Sequence, residues 1–253
     1  MNIESPRDIR RAAEAFARES LVILKFKYRI APWHDIASCR PMVDAEGKDL
    51  MTEVFGWIKT PDEMWWKRPI RKTPDQVSPL VAACRFQSEP FWCNAEGFRT
   101  QISNPFLKHV RIDKFAKRSG IYAAIVVPVH LPFGQIGVVA FAPTDSKSAD
   151  LSTDFKNYSD VIGLYSRRFI SGYVSATSSG LNVTAGANLS PREVACLYWA
   201  AAAKSNEEIG TILSLSVATV RFHIGNAAEK LNAVNRGQAI LKAARLGYIR
   251  LRP

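Results

Sequence analysis

Two short motifs near the carboxyl end constrain the fold of this chain most strongly. Residues 190–193 (SPRE) and 205–208 (SNEE) each place a serine three residues before a glutamate. In such a capping box, the serine oxygen and the glutamate carboxylate satisfy backbone N–H groups at the start of a helix. The first box therefore predicts a helix that runs to about Ala203, and the second predicts a shorter helix that ends near Ser214.

Two more capped helices follow these boxes. Ser216 begins a third helix, and Asn235 precedes a fourth helix over residues 239–246 that ends at Gly247. One face of the third helix is apolar and consists of Val217, Val220, Ile224, Ala227 and Leu231. Four helices within residues 189–249 predict a compact helical bundle.

The second and third of these helices form a candidate helix-turn-helix. Ser214 and Leu215 connect them, and a tight connection is typical of units whose later helix enters the major groove of DNA. Residues 187–253 contain nine basic and four acidic side chains, within a net charge of +11 for the whole chain. Such an excess favours an anionic partner, but charge alone does not separate a nucleic acid from simple solvation of lysines.

Residues 189–249 resemble the LuxR-type helix-turn-helix domain nearly end to end. The matching residues are Leu189, Arg192, Glu193, Leu197, Lys204, Ser205, Glu208, Ile209, Leu213, Ser216, Thr219, Val220, His223, Asn226, Lys230, Leu231, Asn235, Arg236, Ala239, Ala243, Leu246 and Gly247. Ala203 departs from the family, which usually has a glycine before the second helix. We expect this alanine to strain the turn.

The resemblance implies specific contacts with DNA. Four residues of the third helix would face the major groove: Arg221, Phe222, Gly225 and Asn226. Arg221 could bind a guanine or a phosphate, because guanidinium geometry suits both. Thr219 and His223 would reach phosphates; alternatively, Thr219 braces the helix start and His223 packs in the core. Arg236 would clamp a phosphate near a helix amino terminus. A bundle that mediates only protein contacts is the competing hypothesis.

The amino-terminal part alternates helical and extended patterns, which predicts an α+β domain. The predicted elements are a helix over residues 7–20, a strand over 21–30, a strand near 91–92, a helix over 104–120, strands over 121–129 and 137–142, and a long helix over 150–176. Residues 175–188 are small and polar, as in linkers. We therefore expect domains at residues 1–176 and 189–253, joined by a linker at 177–188.

Residues 10–175 are similar, though less closely, to the autoinducer-binding domain of LuxR-type quorum-sensing regulators. This resemblance implies an α-β-α sandwich with an antiparallel sheet that encloses an acyl-homoserine lactone. The pocket motif of the family is a tryptophan, a tyrosine four residues later and Asp-Pro-Val after nine more; here those places hold Trp65, Pro69 and Ser78. Because proline and serine replace the tyrosine and the aspartate, ligand hydrogen bonds are lost or weakened. A different small apolar ligand, or none, is therefore an alternative.

Four further residues are candidates for ligand contact. Trp57 and Trp66 belong to the same tryptophan-rich region. Trp92 fits a later aromatic residue that walls the lactone, if the alignment shifts by one residue, and Ala124 stands where a glycine is typical. The tryptophans could equally pack in the core, which is compatible with a pocket because such pockets are mostly apolar.

Several classes of protein are disfavoured. No apolar run reaches the roughly 18 residues of a membrane span, and no apolar leader marks the chain for export, so we expect a cytoplasmic protein. Four separated cysteines suggest neither a disulfide framework nor a zinc site. No enzyme motif is found, and no cofactor is expected besides the lactone or other small apolar ligand.

These features predict a homodimeric transcription regulator that binds an inverted-repeat site in double-stranded DNA. Dimerisation is expected through the long helix over residues 150–176 and through the fourth carboxyl-terminal helix. One alternative is a regulator that needs no ligand. Another is an anti-activator that forms a heterodimer with a related regulator and keeps it from DNA.

Overall fold

A computed structural model of the chain describes residues 3–38, 40–56, 78–112, 122–145, 147–177 and 188–249. The chain divides near residues 179 and 180 into an amino unit and a carboxyl unit. The tryptophan-rich region with Trp57, Trp65 and Trp66 lies outside the described residues, as do residues 113–121 and most of the predicted linker.

The amino unit combines helices with an antiparallel sheet. Its elements are α1 (Ile9–Ile23), β1 (Tyr28–Trp33), α2 (Leu50–Glu53), α3 (Pro79–Ala83), β2 (Phe91–Asn94), β3 (Gly97–Thr100), β4 (Ala123–His130), β5 (Ile136–Pro143) and α4 (Ser152–Thr177), with 3-10 turns at Pro6–Asp8 and Pro105–His109. A 3-10 turn at Pro132–Gly134 connects β4 to β5. The described strands pair antiparallel in the order β1-β5-β4-β2-β3. The α+β class and the β4–β5 hairpin are therefore as predicted.

Large side chains fill one face of the sheet. Ile30, Phe141 and Ile125 are neighbours in the strand register and are at most 3% exposed. They share a core cluster with Phe16 of α1 and Phe169 of α4, whose rings stack at 4.7 Å between centroids. We call this side of the sheet the helix face, since α1 and α4 cover it.

The predicted boundary between the first helix and the first strand was wrong. Helix α1 continues to Ile23, three residues beyond the predicted end, and β1 begins only at Tyr28. Leu24 is 2% exposed and extends the inward stripe of the helix, so the helical period persists where the apolar run suggested a strand. Lys25 and Phe26 then turn the chain with φ of 52° and 59°.

The helix predicted from residue 104 differs from the structure in its described part. Asn104 is a cap as expected, because its side-chain oxygen accepts a hydrogen bond from the N–H of Phe106. However, Pro105–His109 is a 3-10 turn, and Val110 has extended backbone angles. The later residues of the prediction, 113–120, lie outside the described part of the chain.

The carboxyl unit contains four capped helices, as predicted. They are α5 (Pro191–Ala201), α6 (Asn206–Leu213), α7 (Val217–Lys230) and α8 (Arg236–Arg245). In each case the cap side chain accepts a hydrogen bond from the backbone N–H three residues later, and the caps are Ser190, Ser205, Ser216 and Asn235. Helix α5 ends two residues earlier than predicted, and α8 begins three residues earlier than predicted.

The turn between α5 and α6 carries the strain expected from the alanine that departs from the family. Ala203 has a φ of 61°, a left-handed conformation that the Cβ of an alanine disfavours by about 1–2 kcal/mol. Its N–H donates to the carbonyl of Ala200, and the N–H of Lys204 donates to the carbonyl of Trp199. These hydrogen bonds hold the turn despite the side chain.

We expect Ala203→Gly to stabilise the carboxyl unit by about 0.5–1 kcal/mol. Glycine removes the steric cost of the left-handed turn, and its greater entropy in the unfolded chain offsets only part of that gain. Urea unfolding, read from the NMR amide signals of α5 and α7, measures the change. The matched control is Ala195→Gly inside α5, which should destabilise the unit by about 1 kcal/mol. Equal destabilisation by both variants would contradict a strained turn.

Candidate DNA interface and ligand-binding face

A close backbone approach fixes the turn between α6 and α7. Ser214 ends α6 in a left-handed conformation with φ 55° and ψ 49°. The N–H of Leu215 donates to the carbonyl of Gly210 at 2.9 Å. A Cβ on Gly210 would lie 2.7 Å from the carbonyl oxygen of Leu215, so this position requires glycine. The two helices are therefore held as a tight helix-turn-helix.

Helix α7 has a buried face and an exposed face on opposite sides. Its inward residues are Val220, Ile224, Ala227 and Leu231, all at most 8% exposed. The exposed residues Ala218, Arg221, Phe222, Gly225 and Glu229 recur at the spacing of a single helical face. We call this set the outer face of α7. The helix thus presents a free surface that includes three of the predicted DNA contacts.

The other predicted contacts on α7 lie on its flank and are half-buried. Thr219 forms the start of the helix: its N–H donates to the hydroxyl of Ser216 at 3.0 Å, and the two hydroxyls are 2.8 Å apart. Thr219 therefore braces the helix start, which was the alternative hypothesis for this residue. His223 is half-exposed, with its ring edge-on to Phe222 at 5.7 Å. Asn226 lies on the same flank.

Arg236 braces the carboxyl unit from within. Its Nη1 donates to Oδ1 of Asn206 at 3.0 Å, and its Nη2 donates to the carbonyl of Lys204. The side chain therefore ties the start of α8 to the start of α6. A guanidinium has five N–H donors, so two contacts leave others for a phosphate. The predicted position near a helix terminus is confirmed, whereas this bracing could not be predicted from the sequence.

Several other cations also hold the unit together. Lys204 pairs with Glu208 at 2.8 Å, and Lys242 donates to the carbonyls of Leu231 and Asn232, directly after α7. Arg221, in contrast, lies on the outer face of α7. The charge directed outward by the described carboxyl unit is therefore smaller than its excess of basic residues suggests, and Arg221 carries the positive charge of the outer face.

An ion pair between an exposed lysine and a buried glutamate joins α5 to α7, and sequence reasoning missed it. Both carboxylate oxygens of Glu193 accept from the Nζ of Lys230 at 2.9 Å, and Oε2 also accepts from the N–H of Ser190 at 2.7 Å. Glu193 is 3% exposed. Burial alone would raise the pKa of Glu193, but the hydrogen bonds and the charge of Lys230 outweigh it, so the pKa is lowered. Its capping role was predicted, whereas the distant partner was not.

We expect Glu193→Gln to lower the free energy of unfolding of the carboxyl unit by about 1–3 kcal/mol at pH 7. Because the pKa of Glu193 is lower in the folded than in the unfolded chain, the wild type should keep this stability above the ordinary carboxyl pKa and lose it as the pH falls through the lowered pKa of the folded state. The variant should show a flatter acid dependence in urea unfolding followed by amide signals of α5 and α7.

The matched control is Glu208→Gln, since Glu208 closes an equivalent capping box with a lysine partner but is half-exposed. Its loss should cost at most about 0.5 kcal/mol. If the two variants changed stability and acid dependence equally, the pair of Glu193 and Lys230 would have no special role.

The sheet face opposite the helix face is lined by small side chains. Ala31 pairs with Ala140, and Cys93 pairs with Ala124, in the strand register. All four are buried. Phe91 lies beside Cys93 on this side of the sheet, two residues away in the same strand. We call these five residues the small-residue face. Val126 and Val138 lie on the same side of the sheet, so small and larger apolar side chains alternate along this face.

Helix α3 borders the small-residue face. Leu80 and Ala83 of α3 belong to the same buried cluster as Ala124 and Cys93. Ser78 is the cap residue of α3, but its side chain makes no capping hydrogen bond. Its hydroxyl is therefore not committed to the helix, at the place where the family motif has an aspartate.

The structure does not bring Trp92 together with Ala124. Trp92 pairs with Ile125 and belongs to the core of the helix face. The guanidinium carbon of Arg99 lies 5.8 Å from its ring. Successive strand residues point to opposite faces, so an alignment shift of one residue exchanges the faces. Phe91 is the aromatic residue that shares a face with Ala124, so of the two residues predicted to contact a ligand here, Trp92 and Ala124, only Ala124 lies on this face.

Two buried cysteines near the small-residue face, Cys84 and Cys93, are held in their neutral form. Burial raises the pKa of Cys93 to about 12 and raises that of Cys84 further. Within the described part of the chain, no group of three or more His, Cys, Asp or Glu residues could hold a metal ion. No helix among the described residues is long and apolar enough to cross a membrane.

Comparison with known proteins identifies related families for both units. Residues 35–167 match the family model of the autoinducer binding domain, and residues 187–243 match that of bacterial regulatory proteins of the luxR family. The transcriptional activator VanR of Vibrio anguillarum is 40% identical over 134 residues, which are 53% of this chain and 55% of VanR. The chain thus spans about half the length of this relative.

Two further matches cover more of the chain. The quorum sensing-dependent regulator RpaR of Rhodopseudomonas palustris is 31% identical over 202 residues, which are 79% of this chain and 76% of RpaR. A crystal structure of Escherichia coli SdiA matches 68% of this chain and 68% of SdiA at 23% identity, with a TM-score of 0.39.

Proposed function

Because the chain belongs to the LuxR family of bacterial regulatory proteins, with an autoinducer-binding domain before its helix-turn-helix, we propose that it is a dimeric transcription regulator. It binds an inverted repeat in double-stranded DNA, and a small apolar ligand controls that binding. The observation that carries the proposal is the outer face of α7, which is exposed on a helix fixed by a tight turn. Bacterial DNA lies in the cytoplasm, so the regulator acts there.

The outer face of α7 supports DNA binding in the major groove. Arg221, Phe222 and Gly225 are exposed on it, and the first two turns of a recognition helix are the part that meets base edges. On the flank, Thr219 and His223 would reach phosphates beside the groove, and Asn226 would meet the edge of the groove itself. Arg236 adds a phosphate contact through its remaining donors while it braces the unit.

Exposed apolar residues on one helix of each unit support pairing between two copies of the chain. On α4, Val161 and Leu164 are 37% and 45% exposed, and on α8, Leu241 is 46% exposed. Each belongs to a helix that was expected to pair with a second copy. A two-fold symmetric dimer would place one α7 helix on each of two half-sites. Its DNA target would therefore be an inverted repeat. No observation favours a heterodimer with a related regulator.

We expect Arg221→Ala to weaken binding to the specific duplex by about tenfold or more, and to make the slope of log K against log salt shallower by about 0.9. Gel shift or anisotropy titrations at several salt concentrations measure both. The control, Arg18→Ala, removes the same charge from an exposed position of α1 and should change neither. Salt-insensitive binding, or equal loss in both variants, would contradict a groove contact.

The small-residue face supports binding of a ligand in the amino unit. Ala31, Ala124 and Ala140 give an apolar chain room against the sheet, and Phe91 supplies an aromatic wall. Ser78, at the start of α3, offers a hydroxyl where the family motif has a carboxylate. A neutral hydroxyl accepts a weaker hydrogen bond from a ligand amide than a carboxylate does. The ligand of this chain is therefore expected to rely on apolar contact.

We expect Ser78→Asp to raise affinity for acyl-homoserine lactones by about ten- to hundredfold, because a charged acceptor strengthens the amide hydrogen bond. Thermal melting with a series of lactones of increasing chain length measures this. A ligand at a hundred times its Kd should stabilise the folded protein by about 2.7 kcal/mol.

The control is Ser78→Asn, which has the shape of aspartate without its charge and should gain much less. The same ligand-induced shift in both variants would contradict an amide contact at residue 78. Wild-type and Ser78→Asp proteins that melt unchanged with every lactone would favour the ligand-independent regulator.

A further inference from the structure

The outer face of α7 has few groups that can form hydrogen bonds with bases. Along its first two turns it presents Ala218, Arg221, Phe222 and Gly225. Of these, only Arg221 carries a side chain that donates a hydrogen bond. The next residue of the face, Glu229, is acidic and disfavours deeper insertion between phosphates. The part of α7 that fits the groove is therefore largely apolar.

Phe222 is the largest apolar group on this face. It is 62% exposed, so its ring contributes little to the core of the carboxyl unit. Its edge contact with His223, at 5.7 Å between centroids, orients the ring on the helix surface. A large exposed apolar side chain on a binding surface indicates contact with an apolar group of the partner.

Gly225 leaves space beside that ring. A Cβ placed on Gly225 would have no heavy atom within 4 Å, and residue 225 lies almost one helical turn beyond Phe222 on the same side. The absence of a side chain lets a base edge approach the helix backbone next to the ring. Ala218, one turn before Phe222, adds only a methyl group.

The major groove offers one apolar group to such a surface. Each base pair displays hydrogen-bond donors and acceptors there, and thymine alone adds a C5-methyl group, which Ala and Phe can contact. We propose that Phe222 determines specificity by packing on thymine methyl groups, while Arg221 binds a guanine or phosphate beside them. This inference rests on the proposed DNA binding by α7.

The test uses the full chain and duplexes selected from a random pool by repeated binding. In a selected site, each thymine is replaced in turn by deoxyuridine, which keeps base pairing and removes only the C5-methyl group. We expect about fourfold weaker binding for each thymine that Phe222 contacts, the loss that corresponds to one buried methyl group of about 0.8 kcal/mol. Thymines outside the contact should show no change.

Variants of the protein assign the effect to Phe222. Phe222→Ala should weaken binding to the thymine site and abolish the difference between thymine and deoxyuridine, whereas Phe222→Leu should keep part of it. Arg221→Ala should weaken binding to both duplexes and preserve their ratio. Because Phe222 is exposed, Phe222→Ala should melt at the wild-type temperature, which checks that the variant folds.

The outcomes separate this inference from the function on which it rests. If no duplex is selected, with or without the lactone series, the proposed DNA binding fails. If sites are selected but bind equally well with thymine and deoxyuridine, DNA binding stands and methyl recognition is overturned. A thymine preference that persists in Phe222→Ala would also overturn it, since another residue would then read the methyl group.

Discussion

The helix-turn-helix depends on the close approach between Gly210 and Leu215. A Cβ at position 210 would lie 2.7 Å from the Leu215 carbonyl oxygen, while the same two residues share a backbone hydrogen bond. With Ser214 in a left-handed conformation, the chain reverses over very few residues. This geometry fixes which side of α7 enters the core, and therefore leaves Arg221 and Phe222 on the outside.

Local signals predicted the carboxyl unit well, because a cap acts within one helical turn. Ser190, Ser205, Ser216 and Asn235 all accept the expected backbone hydrogen bond. The end of α1 was harder to predict. An apolar run of residues fits both a strand and a buried helix, and here Leu24 could follow the inward stripe of the helix. Packing against α4 and the sheet decided the boundary.

Contacts between distant residues could not be predicted from sequence. The pairing of Glu193 with Lys230 spans 37 residues and that of Arg236 with Asn206 spans 30, and no local pattern marks either. Trp92 illustrates a different limit. An alignment shift of one residue turns a side chain by about 100° around a helix, and in β2 it places the side chain on the opposite side of the sheet. Strand pairing, which sequence alone does not reveal, identified Phe91 instead.

The open surroundings of Gly225 have an evolutionary consequence. Since a Cβ added there would have no heavy atom within 4 Å, and alanine favours a helix over glycine by about 1 kcal/mol, substitution by alanine at this position should not destabilise the fold. Descendants could therefore acquire new operator preferences one residue at a time, without first accumulating compensating changes in the interior. Gly210, by contrast, cannot accept a side chain without moving the backbone. The helix-turn-helix should therefore be retained while the DNA sequences that it binds diverge.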